Sequence, residues 1–160
     1  MKKPVDIVEM RVPAKPEYVG IIRLTSSGVS SRMGFSYEDI EDIKIAVSEA
    51  STNAIQHGYK GEEGEVTIGF GVYEDRLEII VADNGESFNS DEVRKKTGPY
   101  HSGEKTEDLR EGGLGLFLID TLMDRLEINH DSGVIVIMTK YLGRDEVERR
   151  GDTISTSQTK

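Results

Sequence analysis

Cysteine is missing from all 160 residues. Its absence excludes disulfides, thiolate metal sites and thiol redox chemistry, and it fits a reducing compartment. Basic residues are outnumbered: 20 lysines and arginines stand against 30 aspartates and glutamates, a formal net charge of -10. A chain of that sign repels phosphate backbones, so direct DNA or RNA binding is not expected. Any nucleotide would have to be held locally, by helix N-termini, backbone amides and a metal ion. No apolar run reaches the roughly 20 residues of a membrane span. Met1 to Met10 has acidic residues and no apolar stretch of signal-peptide length. The expectation is a cytoplasmic chain without a membrane partner.

The length suits one domain with an independent core. Residues 1–142 are expected to form it. Beyond Gly143 only Val147 and Ile154 are strongly apolar, so 143–160 reads as a mobile tail.

Val8, Met10 and Val12 alternate with Glu9 and Arg11, the pattern of a strand. Val19, Ile22, Val29 and Met33 share a helical face after Pro16, and Gly34 stops that helix. Ser36 to Asp39 is a capping box for a second helix, whose buried stripe is Ile40, Ile43, Val47, Ala50 and Ala54. Val66, Ile68, Phe70 and Val72, then Leu77, Ile79 and Val81, read as two strands of a hairpin turning at Glu74-Asp75. Residues 86–111 form a long polar loop of the kind that is functional or disordered. Leu116, Ile119, Met123 and Leu126 resume helical spacing, a strand begins at Ile128, and residues 134–138 are an apolar strand of central type. The pattern predicts an α+β two-layer sandwich, with helices on one face of a mixed, mostly antiparallel sheet.

Three short constellations carry chemistry. Glu49 and Asn53 sit four apart on the second helix and share a face. A carboxylate there can take a proton, and an amide oxygen can bind a hard cation. Asp83-Asn84-Gly85 ends an apolar strand. Its carboxylate can accept a hydrogen bond from an exocyclic amine, and Gly85 admits a flat ligand. Gly112-Gly113-Leu114-Gly115-Leu116 closes the loop and opens a helix, where free amides attract phosphate. Each has a plainer reading: a solvated helix face, a turn after a strand, a flexible hinge.

Their order along the chain resembles the GHKL ATPase superfamily, with its Bergerat fold. Glu49 to Asn53 looks like its N box, Asp83-Asn84-Gly85 its G1 box and Gly112 to Leu116 its G2 box, with residues 86–111 as the ATP lid. The resemblance implies ATP with Mg²⁺ as cofactors and Glu49 as the catalytic base. It makes Asn53 the metal ligand, and Asp83, Gly85, Gly112, Gly113 and Gly115 nucleotide contacts. Thr139 matches the threonine that the superfamily places near adenine. Lys105 and Arg110 are both candidates for the γ-phosphate, because Glu111 stands where a related branch has arginine.

Four segments, Pro16-Glu-Tyr-Val-Gly-Ile-Ile-Arg-Leu24, Lys44-Ile-Ala-Val-Ser-Glu-Ala50, Asn53-Ala-Ile-Gln-His57 and Glu111-Gly-Gly-Leu-Gly-Leu116, resemble the anti-sigma-B factor serine kinases of Gram-positive bacteria. That resemblance implies a serine/threonine protein kinase that phosphorylates an anti-anti-sigma factor and sequesters a sigma-B type sigma factor, working as a homodimer. It also implies a sigma contact through the first helix, where Arg23 stands off the core stripe with Tyr18 and Thr25 as free neighbours. The alternative is a catalytically silent ATP-dependent binding module, disfavoured by the retention of both Glu49 and Asn53. Sensor histidine kinases are not matched: His57, His101 and His130 lie on no preceding helical hairpin. Gyrase, chaperone and mismatch-repair members need a transducer domain, which has no counterpart here.

Overall fold

A computed structural model describes residues 3–58, 64–83, 98–99, 113–129 and 135–143. Strand β1 is Asp6–Pro13. A 3-10 turn at Pro16–Tyr18 leads into helix α1, Val19–Met33, and helix α2 is Tyr37–Gly58. Strands β2 (Glu65–Val72) and β3 (Arg76–Ala82) follow, then the two-residue strand β4, Gly98–Pro99. Helix α3 is Gly113–Leu122, and strands β5 (Arg125–Asn129) and β6 (Ile135–Tyr141) complete the order.

The six strands run β1-β2-β3-β6-β5-β4 across one sheet. Every described pairing is antiparallel. β6 lies between β3 and β5, the central position that its unbroken apolar run implies. Side chains alternate across a strand. Val66, Ile68, Phe70, Leu77, Ile79, Val81, Val136 and Met138 therefore face one way, into a core shared with Ile22, Ile43, Val47, Leu116 and Ile119 of the helices. Full burial of one such side chain stabilises by about 1.5–3 kcal/mol. The opposite face carries a smaller apolar cluster of Ile80, Ala82, Ile135 and Ile137.

Local chemistry fixes the element ends. Gly34 terminates α1 at φ 91°, a left-handed conformation that a side chain would resist. Ser36 Oγ accepts the Asp39 amide at 3.1 Å, the capping bond expected at the start of α2. Glu74-Asp75 is a poor turn pair, and its neighbours compensate. The Tyr73 amide donates to the Arg76 carbonyl at 2.9 Å, and the Arg76 guanidinium lies 3.9 Å from the Tyr73 ring centroid while pairing with Asp75 and Glu78.

One expectation is corrected. The last helix does not run through Leu126: it ends at Leu122, and Leu126 belongs to β5. The Asp124 amide donates to the Thr139 carbonyl at 2.9 Å, and the Asp124 carboxylate accepts the Tyr141 amide at 2.7 Å. Those bonds turn the chain, and Leu126 reaches the same core from a strand. On α1, Val19, Val29 and Met33 pack against the core beside the fully buried Ile22, as the stripe implies, and Ser26 and Ser30 are fully buried with it. Their hydroxyls donate to the carbonyls of Ile22 and Ser26, at 2.8 and 2.7 Å. Bonded in this way, a serine is small enough to let α1 approach α2 closely.

Candidate nucleotide site

Helix α2 brings Glu49 and Asn53 to its half-buried flank, beside the fully buried stripe of Ile43, Ala46, Val47 and Ala50. Helix α3 packs against α2 with its first turn at that flank. A methyl group built on Gly115 would lie 3.1 Å from Asn53 Nδ2, 3.2 Å from Glu49 Oε2 and 3.7 Å from Asn53 Oδ1. Only a residue without a side chain leaves the carboxylate and the amide undisturbed. Two constellations some 60 residues apart in the chain therefore meet, a carboxylate and a side-chain amide beside the turn that opens a helix. Such an end carries unpaired N–H groups and a partial positive charge, suited to phosphate. The hard oxygens of Asn53 and Glu49 suit Mg²⁺. The residues present fit a magnesium–nucleotide pair.

Asp83 stands just past β3 and is 5% exposed. It continues the alternation of Leu77, Ile79 and Val81, on the side of the sheet that the helices cover. Thr139 does not join this side. It shares its parity with Ile135 and Ile137 and faces away from the helices. It pairs with Glu78, while the β3 end that leads to Asp83 pairs with Ile135, four positions along β6. At 3.3 Å per residue that is about 13 Å of strand. Strand alternation overrides the motif match, and Thr139 is withdrawn as an adenine contact.

Gly85, Lys105, Arg110 and Gly112 lie outside the described residues, as do nearly all of the 86–111 loop and the 144–160 tail. Gly113 is the first residue of α3. Arg23 is exposed on α1 with Ile21 (48%) and Leu24 (70%). Its supposed free neighbours are engaged: Tyr18 packs against the core, and Thr25 Oγ1 donates to the Ile21 carbonyl. A shallow cleft on the opposite face of the sheet is lined by Ile7, Gly69, Gly71, Tyr73 and Ile80 among others. It holds neither Glu49, Asn53 nor a helix end, and it is not the nucleotide site.

Sequence reasoning missed Lys140. Its side chain is only 11% exposed, and its ammonium donates to the Leu122 carbonyl at 2.6 Å. A lysine closing an otherwise apolar strand was the available signal. Among the described residues no helix is long and apolar enough to cross a membrane.

Comparison with known proteins bears on the family and the fold. The family described as the histidine kinase-like ATPase domain matches residues 12–140. A serine-protein kinase RsbW of Oceanobacillus iheyensis is 59% identical over 154 residues, covering 96% of this chain and 98% of the relative. A serine-protein kinase RsbW of Bacillus cereus is 60% identical over 149 residues, covering 93% of each. Among solved structures, one of RsbU and RsbW domains from Mycobacterium tuberculosis superposes with a TM-score of 0.61 at 20% identity. That match covers 87% of this chain and 33% of the longer one, and it bears on the fold alone.

Proposed function

Because the chain belongs to the histidine kinase-like ATPase family and, within it, to the serine-protein kinases of RsbW type, we propose that it is a partner-switching regulator of a sigma factor. It is an ATP-dependent protein kinase. Its substrate in this reading is a small anti-anti-sigma protein, phosphorylated on serine or threonine. Its second partner is a sigma factor of sigma-B type, held away from RNA polymerase. Phosphorylation of the first partner releases the kinase to bind the second. The resemblance to anti-sigma-B kinases supports a homodimer, and the lack of cysteine fits the cytoplasm.

The observation that carries the catalytic part is the contact of Gly115 with Glu49 and Asn53. Magnesium, when bound, would neutralise phosphate charge. Asn53 would be its protein ligand, and one is enough for an ion that keeps several waters. Glu49 would orient or deprotonate the attacking hydroxyl. Amides of the first α3 turn, Gly113 among them, would hold phosphate oxygens. Gly85, Gly112, Lys105 and Arg110 are proposed to complete the nucleotide contacts, with 86–111 as the lid.

Asp83 would accept the adenine amine, a donor that guanine lacks at that edge. A hydrogen bond to a charged group contributes about 1.5–3 kcal/mol, so ATP should be favoured over GTP by about tenfold or more. Asp83→Asn should erase that preference in competition binding, and equal affinity of the unaltered protein for GTP would remove the assignment. The function itself is tested by incubation with labelled ATP, Mg²⁺ and a candidate anti-anti-sigma protein, followed by phosphosite mapping. Label on a single serine or threonine of the partner is the expected result; an unlabelled partner beside a sigma factor still captured would favour the silent binding module.

A further inference from the structure

Lys140 is the one buried cation of the central strand among the described residues. It points from β6 toward the helices, with the parity of Val136 and Met138. Its ammonium donates to the carbonyl of Leu122, the last residue of α3, at 2.6 Å. The same nitrogen lies 3.8 Å from Asp39 Oδ1 and 3.8 Å from Asp42 Oδ2, both in the first half of α2. Those carboxylates are too far for hydrogen bonds and near enough to balance the charge.

The end of α3 is thus fixed to β6 by three neighbouring residues. Lys140 takes the Leu122 carbonyl, Thr139 takes the Asp124 amide and Tyr141 gives its amide to Asp124. At the other end, Gly115 lies against Glu49 and Asn53. The first turn of α3 therefore meets the middle of α2, and its last turn faces the start of α2. The two helices are antiparallel, and α3 is a strut of 10 residues held at its rear and free to touch nucleotide at its front. One helical residue advances about 1.5 Å, so slippage by a single residue would misplace the phosphate-facing amides against Asn53.

We propose that Lys140 is a positioning residue for nucleotide: by tying the rear of α3 to α2 and β6, it sets the separation between the glycine turn and the Glu49–Asn53 pair. It touches neither ATP nor metal. A cation at a helix C-terminus is also favoured by the helix dipole, so the tie strengthens the helix it aims. This inference rests on reading Glu49, Asn53 and Gly115 as the nucleotide site.

The test is calorimetric titration of the full chain with ATP and Mg²⁺, alongside steady-state kinetics and a thermal melt. Lys140→Met, of similar length and without charge, should raise both Kd and KM for ATP about tenfold while kcat stays within about threefold, the pattern of lost uniform binding. Lys140→Arg, which can still donate to the carbonyl and face both carboxylates, should restore Kd to within about threefold of the original. A purely structural lysine would lower the melting temperature and leave the Kd of the folded protein alone, and that result overturns the proposal. Should Lys140→Met not fold, Asp124→Ala removes a bond of the same tie from an exposed position; about threefold weaker ATP binding is expected, and unchanged binding overturns the proposal. Asn53→Ala, run in parallel, separates the two readings. Its loss of Mg²⁺-dependent affinity upholds the site whatever the Lys140 variants do. Unchanged affinity in Asn53→Ala sinks the site reading, and this inference with it.

Discussion

Gly115 shows how much one missing side chain can decide. A methyl group there would press on Asn53 at 3.1 Å and on Glu49 at 3.2 Å. Gly115→Ala should leave the fold intact, since alanine favours a helix, yet weaken ATP·Mg²⁺ binding by about tenfold, because small misplacements at a site are costly. Isothermal titration with a circular-dichroism control checks both halves of that statement. Glu49→Ala separates chemistry from binding. It should lower kcat by about 10²–10⁴ and keep nucleotide affinity, as removal of a general base does; full turnover in a phosphotransfer assay would exclude Glu49 as the base. The residues of this site were legible in the sequence because each has a motif with a chemical reason. Their meeting was not, because nothing local joins a helix at 49–53 to a glycine turn at 113–115. Thr139 shows the converse failure. A motif match ignores the two-residue period that sets which face of a strand a side chain takes.

At the scale of elements, strands and helices were readable wherever period and punctuation agreed, as at Gly34 and Ser36. They were misread where two periods coincide. Leu126 fits a helix after Leu116, Ile119 and Met123, and it fits a strand with Ile128 equally well. The arbiter is Asp124, whose bonds to Thr139 and Tyr141 come from residues far along the chain. The start of α2 offers a test by pH. Asp42 is held above its ordinary value of 3.8 by burial first, then by the nearby charges of Asp39 and Glu38, with Lys140 opposing. A raised carboxyl binds its proton more tightly in the folded chain than in the unfolded one. Ionised Asp42 therefore costs stability at neutral pH, and the cost fades as pH falls through the raised value and is gone below 3.8. Asp42→Asn should be neutral to slightly stabilising at pH 7, the effect being kept small by solvent screening of a partly exposed carboxylate. The advantage should shrink toward pH 4. Thermal melts of both proteins across that range decide it, and an advantage that grows with acidity would contradict the sign.

The whole molecule presents a net charge of -10 and, on α1, an exposed patch of Ile21, Arg23 and Leu24. Acidic surfaces steer basic partners, and arginine beside apolar side chains is a frequent hot spot. Arg23→Glu is expected to weaken sigma-factor binding by about tenfold or more and to leave ATP affinity unchanged, since α1 holds none of the nucleotide residues. A pull-down and a nucleotide titration on one preparation check this; loss of both would indicate misfolding instead. The order of strands has a further consequence, for how the chain comes off the ribosome. Partners in the β2–β3 hairpin lie 5 to 15 residues apart, but those in the central β3–β6 pair lie 53 to 65 apart. Closing the longer loop costs about 1–2 kcal/mol more in chain entropy. Until residues 135–141 emerge, an apolar edge of β3 that the native sheet fully covers stays open. β3 is complete at Ala82 and the strand that seals it only at Tyr141, so the nascent protein carries an adhesive edge for as long as the residues between them are being made.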